Sequence, residues 1–126
     1  MKTWTLKFAS YKQPDDILNA IESGLKVIET RPYTPNDSKD YSKIERGDKL
    51  IFVSLDTGKK IQKTALGTKV YKTVAEMLQQ EDYENIFPGI GSKESLLSVY
   101  EEVKEKWGPE YKYNLEHYGI VAIYIL

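Results

Sequence analysis

Three charged residues stand close together near the start of the chain: Lys26, Glu29 and Arg31, in the run GLKVIETR (residues 24–31). The residues between them are largely apolar and suit a buried strand, where charge is unusual. Lysine and arginine can pair with a phosphate or a base carbonyl, while glutamate can accept a hydrogen bond from the exocyclic amino group of a base. We therefore take all three as candidate ligand-binding residues, and Lys26 and Glu29 as candidate catalytic residues.

The geometry of a strand limits how these charges can meet. In a regular strand, Glu29 and Arg31 share one face and Lys26 points to the other. Convergence of all three requires that Lys26 precede the regular strand or that a bulge intervene. The alternative interpretation is that Glu29 and Arg31 form a structural ion pair that closes the fold.

Aromatic residues are the second source of candidate contacts, because RNA-binding proteins commonly stack bases on aromatic rings. The chain has ten tyrosines, of which Tyr33, Tyr71 and Tyr118 are the stacking candidates; most tyrosines of a small domain serve packing instead. The single histidine, His117, suits acid–base chemistry near neutral pH. A lone histidine is more often a surface residue, and it gives a poor ligand set, so no metal site is expected.

Composition excludes several classes of function. The chain has 126 residues, no cysteine and a net charge of −1, so thiol chemistry and a globally basic nucleic-acid surface are excluded. The sequence lacks G-x-G-x-x-G, P-loop, H-E-x-x-H and G-x-S-x-G motifs, and no cofactor is expected. Neither a secretory signal nor a membrane-spanning apolar run is present. We expect a single cytoplasmic domain over residues 1–126, without a membrane partner.

The elements that must position the charged run can be read from periodicity. Alternating apolar residues predict a strand at Trp4–Phe8, and a helix over Asp16–Ser23 follows, with Asp15 or Asp16 as its cap and Gly24 at its end. The charged run then forms a strand over residues 25–33, followed by a polar loop.

Later elements complete the expected sheet. The apolar run Leu50–Val53 predicts a central strand covered on both faces, and Lys60–Lys72 a long strand that Gly67 curves or breaks. Two helices begin at Thr73 and Ser92, and a buried strand closes the chain at Ile120–Leu126. The second of these helices carries an apolar stripe expected to pack in the core, made of Leu96, Tyr100, Val103 and Trp107. This order predicts an α+β fold.

The spacing Gly-x-Lys-x-x-Glu-x-Arg, present at residues 24–31, resembles the signature of the ASCH (activating signal cointegrator homology) family, relatives of the PUA RNA-binding domains. Further runs that resemble this family are WTL (4–6), RGD (46–48), Tyr71, EML (76–78), FPG (87–89), Tyr100 and GIVAI (119–123). The resemblance implies a PUA-like β-barrel of five to six mixed, mostly antiparallel strands flanked by three α-helices. It also implies a cleft floored by the Lys-Glu-Arg strand and suited to a nucleotide or a short RNA.

The same resemblance offers an enzyme hypothesis. Some stand-alone ASCH proteins are N4-acetylcytidine amidohydrolases, in which the strand lysine and a threonine three residues later act with a distant glutamate. The resemblance places Lys26 at the lysine position and Glu29 at the threonine position, with Thr30 displaced by one residue. Glu94 and Glu116 are the candidates for the distant glutamate. Other ASCH proteins are ribonucleases, for which Lys26 and Arg31 would stabilise the transition state and Glu29 would act as base.

A third hypothesis is a protein-interaction module. Residues 1–72 hold 14 Lys+Arg and 9 Asp+Glu, whereas residues 73–126 hold 4 and 10. Such a domain would offer its basic strands to an acidic partner, or the acidic helix carrying Glu101, Glu102 and Glu105 to a basic one.

Overall fold

The computed structural model of the protein describes residues 1–126. Five strands form one mixed sheet in the order β1-β3-β4-β5-β2. Only β1 and β3 run parallel; the other neighbours are antiparallel. The strands are β1 (Thr3–Phe8), β2 (Ile28–Pro32), β3 (Lys49–Ser54), β4 (Lys60–Tyr71) and β5 (Ile120–Ile125). The sheet curls into a half-barrel whose edge strands are β1 and β2.

Five α-helices and one 3-10 helix (Tyr41–Lys43) accompany the sheet. The α-helices are α1 (Asp16–Glu22), α2 (Val74–Gln80), α3 (Tyr83–Ile86), α4 (Lys93–Lys106) and α5 (Pro109–His117). None of them is both long and apolar enough to cross a membrane. The α+β class is thus confirmed, with two α-helices more than the three expected.

The two additional helices, α3 and α5, have different reasons for escaping prediction. Helix α3 has four residues, which is too short to show a helical period. Helix α5 lies in a polar, tyrosine-rich segment, but Pro109 occupies its first turn directly after Gly108. Proline at the first helical position is a recognised start signal, so α5 could have been found from it.

The curl of the sheet comes from β4, which is shared between two partners. Its first half pairs with β3 and its second half with β5, and the register shifts between Ala65 and Gly67. Gly67 has a φ of +143°, which disfavours other residues. The expected effect of this glycine on the long strand is confirmed.

The expectation for β3 is wrong in one respect. Leu50, Phe52 and Ser54 are buried, but Ile51 and Val53 on the opposite face are only partly covered. An apolar run alone therefore overstated the burial of that face. The strand covered on both faces is β5, which lies between β4 and β2 in the sheet.

Two apolar clusters lie on opposite sides of β5. Val121 and Ile123 join a cluster with β1, β3 and α1, whereas Ile120 and Ala122 join a second cluster with α2, α3, α4 and α5. The alternation of side chains along β5 explains this division. Helices α4 and α5 are thereby held beside the β2 edge of the half-barrel.

Candidate functional site

A cleft of about 840 Å³ opens between the edge strands and helices α4 and α5. Strand β2 forms its floor with Glu29, Thr30 and Arg31, and Lys26 lies below them. The segment Lys7–Lys12 forms one wall, and residues of α4 and α5 form the opposite wall. All three charges of the 24–31 run therefore line one cavity, as the ligand-binding hypothesis requires.

Lys26 reaches this cavity because it lies before the regular strand. Helix α1 ends at Glu22, and Gly24 has the positive φ of +83° expected for a helix end. The Lys26 amide still bonds to the helix at Ala20, and β2 begins only at Ile28. The first of the two conditions for convergence is met.

The Lys26 ammonium group is surrounded by protein oxygens. Its Nζ atom donates to the backbone oxygens of Ile28 at 2.7 Å and Ile86 at 2.5 Å, and it lies 3.3 Å from Glu29 Oε1. Two of the three N–H donors of the ammonium group are thus used in hydrogen bonds, and the buried group forms an ion pair with Glu29. Burial lowers the pKa of Lys26, and the Glu29 charge opposes this effect only in part.

Glu29 holds both cations of the run. Its side chain is buried, with one carboxylate oxygen facing Lys26 and the other accepting from Arg31 Nε at 2.9 Å. Two cationic partners offset the cost of burying a carboxylate. Glu29 therefore fixes the position of Arg31 within the cleft.

Arg31 is the member of the cluster that faces solvent. Its side chain is 21% exposed, and its Nη2 atom donates to the backbone oxygen of Lys7 at 2.9 Å. The guanidinium lies 4.7 Å from the ring centroid of Phe8 and 5.8 Å from that of Tyr41. Two of its five N–H donors are engaged, so three remain. The Glu29–Arg31 pair is thus a structural ion pair and also part of an accessible cleft.

Thr30 also faces the cleft, although a regular strand turns it away from Glu29. Its hydroxyl lies 2.6 Å from the hydroxyl of Tyr100 on α4, and burial raises the pKa of Tyr100. On α5, burial and the nearby Glu29 charge raise the pKa of Tyr111 to about 12. Both tyrosines therefore stay neutral at physiological pH and present hydroxyl groups near the floor.

None of the three tyrosines chosen from the sequence as stacking residues lines the cleft. Tyr33 packs against the apolar cluster shared by β1, β3 and α1, and Tyr71 is buried with its hydroxyl donating to Glu81 at 2.6 Å. Tyr118 is exposed and contacts His117 edge-on. The aromatic residues that do line the cleft are Phe8, Tyr11, Tyr41, Phe87, Tyr100, Trp107 and Tyr111.

Part of the aromatic lining of the cleft belongs to the apolar stripe that the sequence showed along α4. Leu96 and Tyr100 are buried, but Trp107 is 48% exposed. All four residues of the stripe, Val103 included, border the cleft. Their helical spacing identified the face of α4 correctly. Assigning the whole stripe to the core was wrong, because its last residue, Trp107, is half-exposed at the cleft.

Other residues singled out from the sequence lie outside the cleft, namely Glu94, Glu116 and His117. His117 stacks on Tyr113, with ring centroids 4.9 Å apart. Of the acidic helix, Glu101 pairs with Lys104 at 3.0 Å and Glu105 with Lys112 at 3.4 Å.

The charge of the cleft differs from that of the whole protein. The net charge of the chain is −1, yet the cleft lining contains six cationic side chains and three carboxylates. The cations are Lys7, Lys12, Lys26, Arg31, Lys39 and Lys106, and the carboxylates are Glu29, Glu102 and Glu110. This excess of positive charge in a concave site attracts anions.

Comparison with known proteins places the chain among small proteins of the same fold. No protein-family model and no curated protein matches it. It is similar over 99% of its length to the crystal structure of hypothetical protein PH0355, with 30% identity, 97% of that chain covered and a TM-score of 0.70. The chain belongs to the family of this protein. The half-barrel architecture is thus shared with a relative of nearly equal length.

A second similar structure is the solution structure of protein PF0455 from Pyrococcus furiosus. The two chains are 27% identical, with 97% of this chain and 96% of that chain covered, and the TM-score is 0.62. Both comparisons concern fold and length, and neither name states a ligand or a reaction.

Proposed function

We propose that the chain is an ASCH-type domain that binds a nucleotide or a short RNA in the cleft above β2. The observation that carries the proposal is the accumulation of cations in one concave site of a protein whose overall charge is slightly negative. Phosphate groups are the anions that arginine and lysine clusters commonly bind.

Arg31 is the proposed ligand contact of the charged run. It keeps three N–H donors after binding Glu29 and Lys7, and its contacts hold the guanidinium in one orientation. A donor group fixed before binding costs less conformational entropy when the ligand arrives. Lys26 acts as a positioning residue, because two backbone oxygens and the Glu29 carboxylate surround its buried ammonium group.

Aromatic residues at the end of α4 and on α5 are the proposed base contacts. Trp107 and Tyr111 lie next to each other, with ring centroids 6.4 Å apart, and both line the cleft. Base stacking on such rings is worth about 1–3 kcal/mol per base. This surface takes the role that the sequence prediction had given to Tyr33, Tyr71 and Tyr118.

Calorimetric titration of mononucleotides and short single-stranded RNA tests the proposal. We expect saturable binding that weakens with salt, and a loss of about tenfold or more in affinity for Arg31→Gln. Arg46→Gln is the matched control, since Arg46 is exposed and lies outside the cleft. Absence of binding to the folded wild-type protein at millimolar ligand would refute the proposal.

Hydrolysis of an N4-acylated cytidine is the second candidate function. The observation that favours it is a buried lysine of lowered pKa, 3.3 Å from a carboxylate oxygen, beneath a cleft. The Lys26–Glu29 pair would supply the base that takes a proton from water; the resulting hydroxide adds to the acetyl carbonyl, the bond to N4 breaks as N4 takes up a proton, and acetate and cytidine are released. Chromatography after incubation with N4-acetylcytidine tests it; absence of cytidine at high protein concentration would remove this candidate.

A further inference from the structure

The cations of the cleft are concentrated on its strand side. Arg31 bonds to the backbone of Lys7, and Lys39 lies two residues before Tyr41, whose ring faces Arg31. The side chains of Lys7 and Lys39 are exposed, and both residues line the cleft. We call Arg31, Lys7 and Lys39 the strand-side cations.

Negative charge is distributed differently around the cleft. Glu102 and Glu110 belong to helices α4 and α5 on the opposite wall. The carboxylate on the strand side is Glu29, and its oxygens already face Lys26 and Arg31. The strand side therefore has an excess of cations, whereas the helix side combines two carboxylates and one cation, Lys106, with the rings of Trp107 and Tyr111.

We propose that the ligand is a nucleotide bearing a phosphate monoester, with its phosphate at the strand-side cations and its base against Trp107 and Tyr111. This inference rests on the proposed function and narrows its ligand class. A phosphate monoester has about −1.5 to −2 charges at neutral pH, a phosphodiester has one, and a nucleoside has none. A guanidinium with free N–H donors can bind such a group through two parallel hydrogen bonds.

The size of the cleft supports one nucleotide as the occupant. Its volume of about 840 Å³ lies within the range of roughly 300–1,000 Å³ typical of sites for single small ligands. The nucleotide can be free, or it can be the phosphorylated end of an RNA. Both sources present the same phosphate monoester and the same base.

Paired calorimetric titrations test the inference. Each of the four nucleosides is compared with its 5′-monophosphate at 50 mM salt, where charge screening is weak, and at 300 mM salt, where it is strong. We expect the monophosphates to bind about tenfold or more tightly at low salt, and the difference to shrink at high salt. A tetranucleotide RNA with and without a 5′-phosphate distinguishes an RNA end from a free nucleotide.

Variants of the two exposed lysines test where the phosphate binds, even if the Arg31 variant does not fold. Lys7→Gln and Lys39→Gln remove exposed charges, and each should reduce monophosphate affinity about two- to fivefold while leaving nucleoside affinity unchanged. Arg31→Gln should reduce it about tenfold or more. Lys60→Gln, at an exposed lysine outside the cleft, is the control.

The outcomes separate this inference from the proposed function. Equal affinity for nucleosides and monophosphates, unaffected by Lys7→Gln and Lys39→Gln, would refute the inference that the cleft recognises a phosphate monoester. The proposal that the cleft binds a nucleotide or RNA would remain. If neither nucleosides nor monophosphates bind, both the inference and the proposed function are refuted.

Discussion

The Nη2 atom of Arg31 donates a hydrogen bond to the backbone oxygen of Lys7 at 2.9 Å. These residues belong to β2 and β1, the two edges of the sheet. Because edge strands have unpaired backbone groups, a side chain that bonds across the gap links the ends of the half-barrel. Arg31 thus contributes to the fold and, in our proposal, to ligand binding.

Replacing Arg31 by lysine should destabilise the protein while keeping the charge. A lysine cannot reproduce the planar fork that binds Glu29 and Lys7 together, so we expect a loss of about 1–2 kcal/mol in the free energy of unfolding. Urea denaturation measures it. Arg46→Lys, at the other arginine, should change stability by less than about 0.5 kcal/mol; equal effects of the two changes would contradict the structural role of Arg31.

The Lys26–Glu29 pair should behave as a coupled unit. Glu29→Gln leaves the buried Lys26 without a carboxylate and should cost about 3–5 kcal/mol, whereas Lys26→Met leaves Glu29 paired with Arg31 and should cost less. The double variant should cost clearly less than the sum of the single ones. A double-mutant cycle by urea denaturation measures this coupling, and strict additivity would show that the two side chains do not stabilise each other.

Tyr111 should make stability fall at alkaline pH. The folded protein holds its pKa at about 12, above the ordinary value of 10.0. Between these values the unfolded chain loses the proton while the folded protein keeps it, so stability present below pH 10 is lost as the pH rises toward 12. The alkaline loss should be about 1–2 kcal/mol smaller in Tyr111→Phe.

Urea denaturation between pH 9 and 11.5 checks this difference. The matched control is Tyr113→Phe, because Tyr113 lies on the same helix and is 55% exposed. Identical pH profiles for the wild type and Tyr111→Phe would contradict the burial effect.

Gly119 should tolerate no side chain. Its φ is +111°, and a Cβ atom there would lie 2.2 Å from the backbone oxygen of Tyr71. Gly119→Ala should therefore lose more than about 3 kcal/mol of stability by combining backbone strain with a clash. In Gly58→Ala the φ is also positive, at +76°, but the space is open, so about 1 kcal/mol is expected. Thermal unfolding compares the two, and a similar small shift for both would argue against the close approach at Gly119.

Fluorescence should report ligand binding through Trp107. Trp107 lines the cleft, whereas Trp4 lies outside it and donates from its indole nitrogen to Asp48 at 3.0 Å. A base stacked on Trp107 should change the emission of the wild type and of Trp4→Phe, but not that of Trp107→Phe. A signal that survives in Trp107→Phe would place the ligand elsewhere.

Much of the local structure was determined by the sequence itself. The capping residues Thr73 and Ser92 mark the starts of α2 and α4, as their side-chain bonds to Glu76 and Ser95 confirm. The Gly67 bend and the buried closing strand also agree with prediction. The caps depend on contacts within a few residues, and the bend and the closing strand on residue types that favour them, which capping signals and periodicity describe directly.

The cleft itself was decided only by the tertiary structure. Lys26 meets Glu29 because Ile86, sixty residues away, supplies a carbonyl oxygen that holds the ammonium group. Likewise, Tyr11 and Tyr111 line the cleft while Tyr71 is buried, although nothing in their local sequence distinguishes them. The sequence by itself determined which residue types could bind an anion and how they are spaced along the chain. Which of them face a common cavity depends on packing between distant segments, and short-range patterns do not encode that packing.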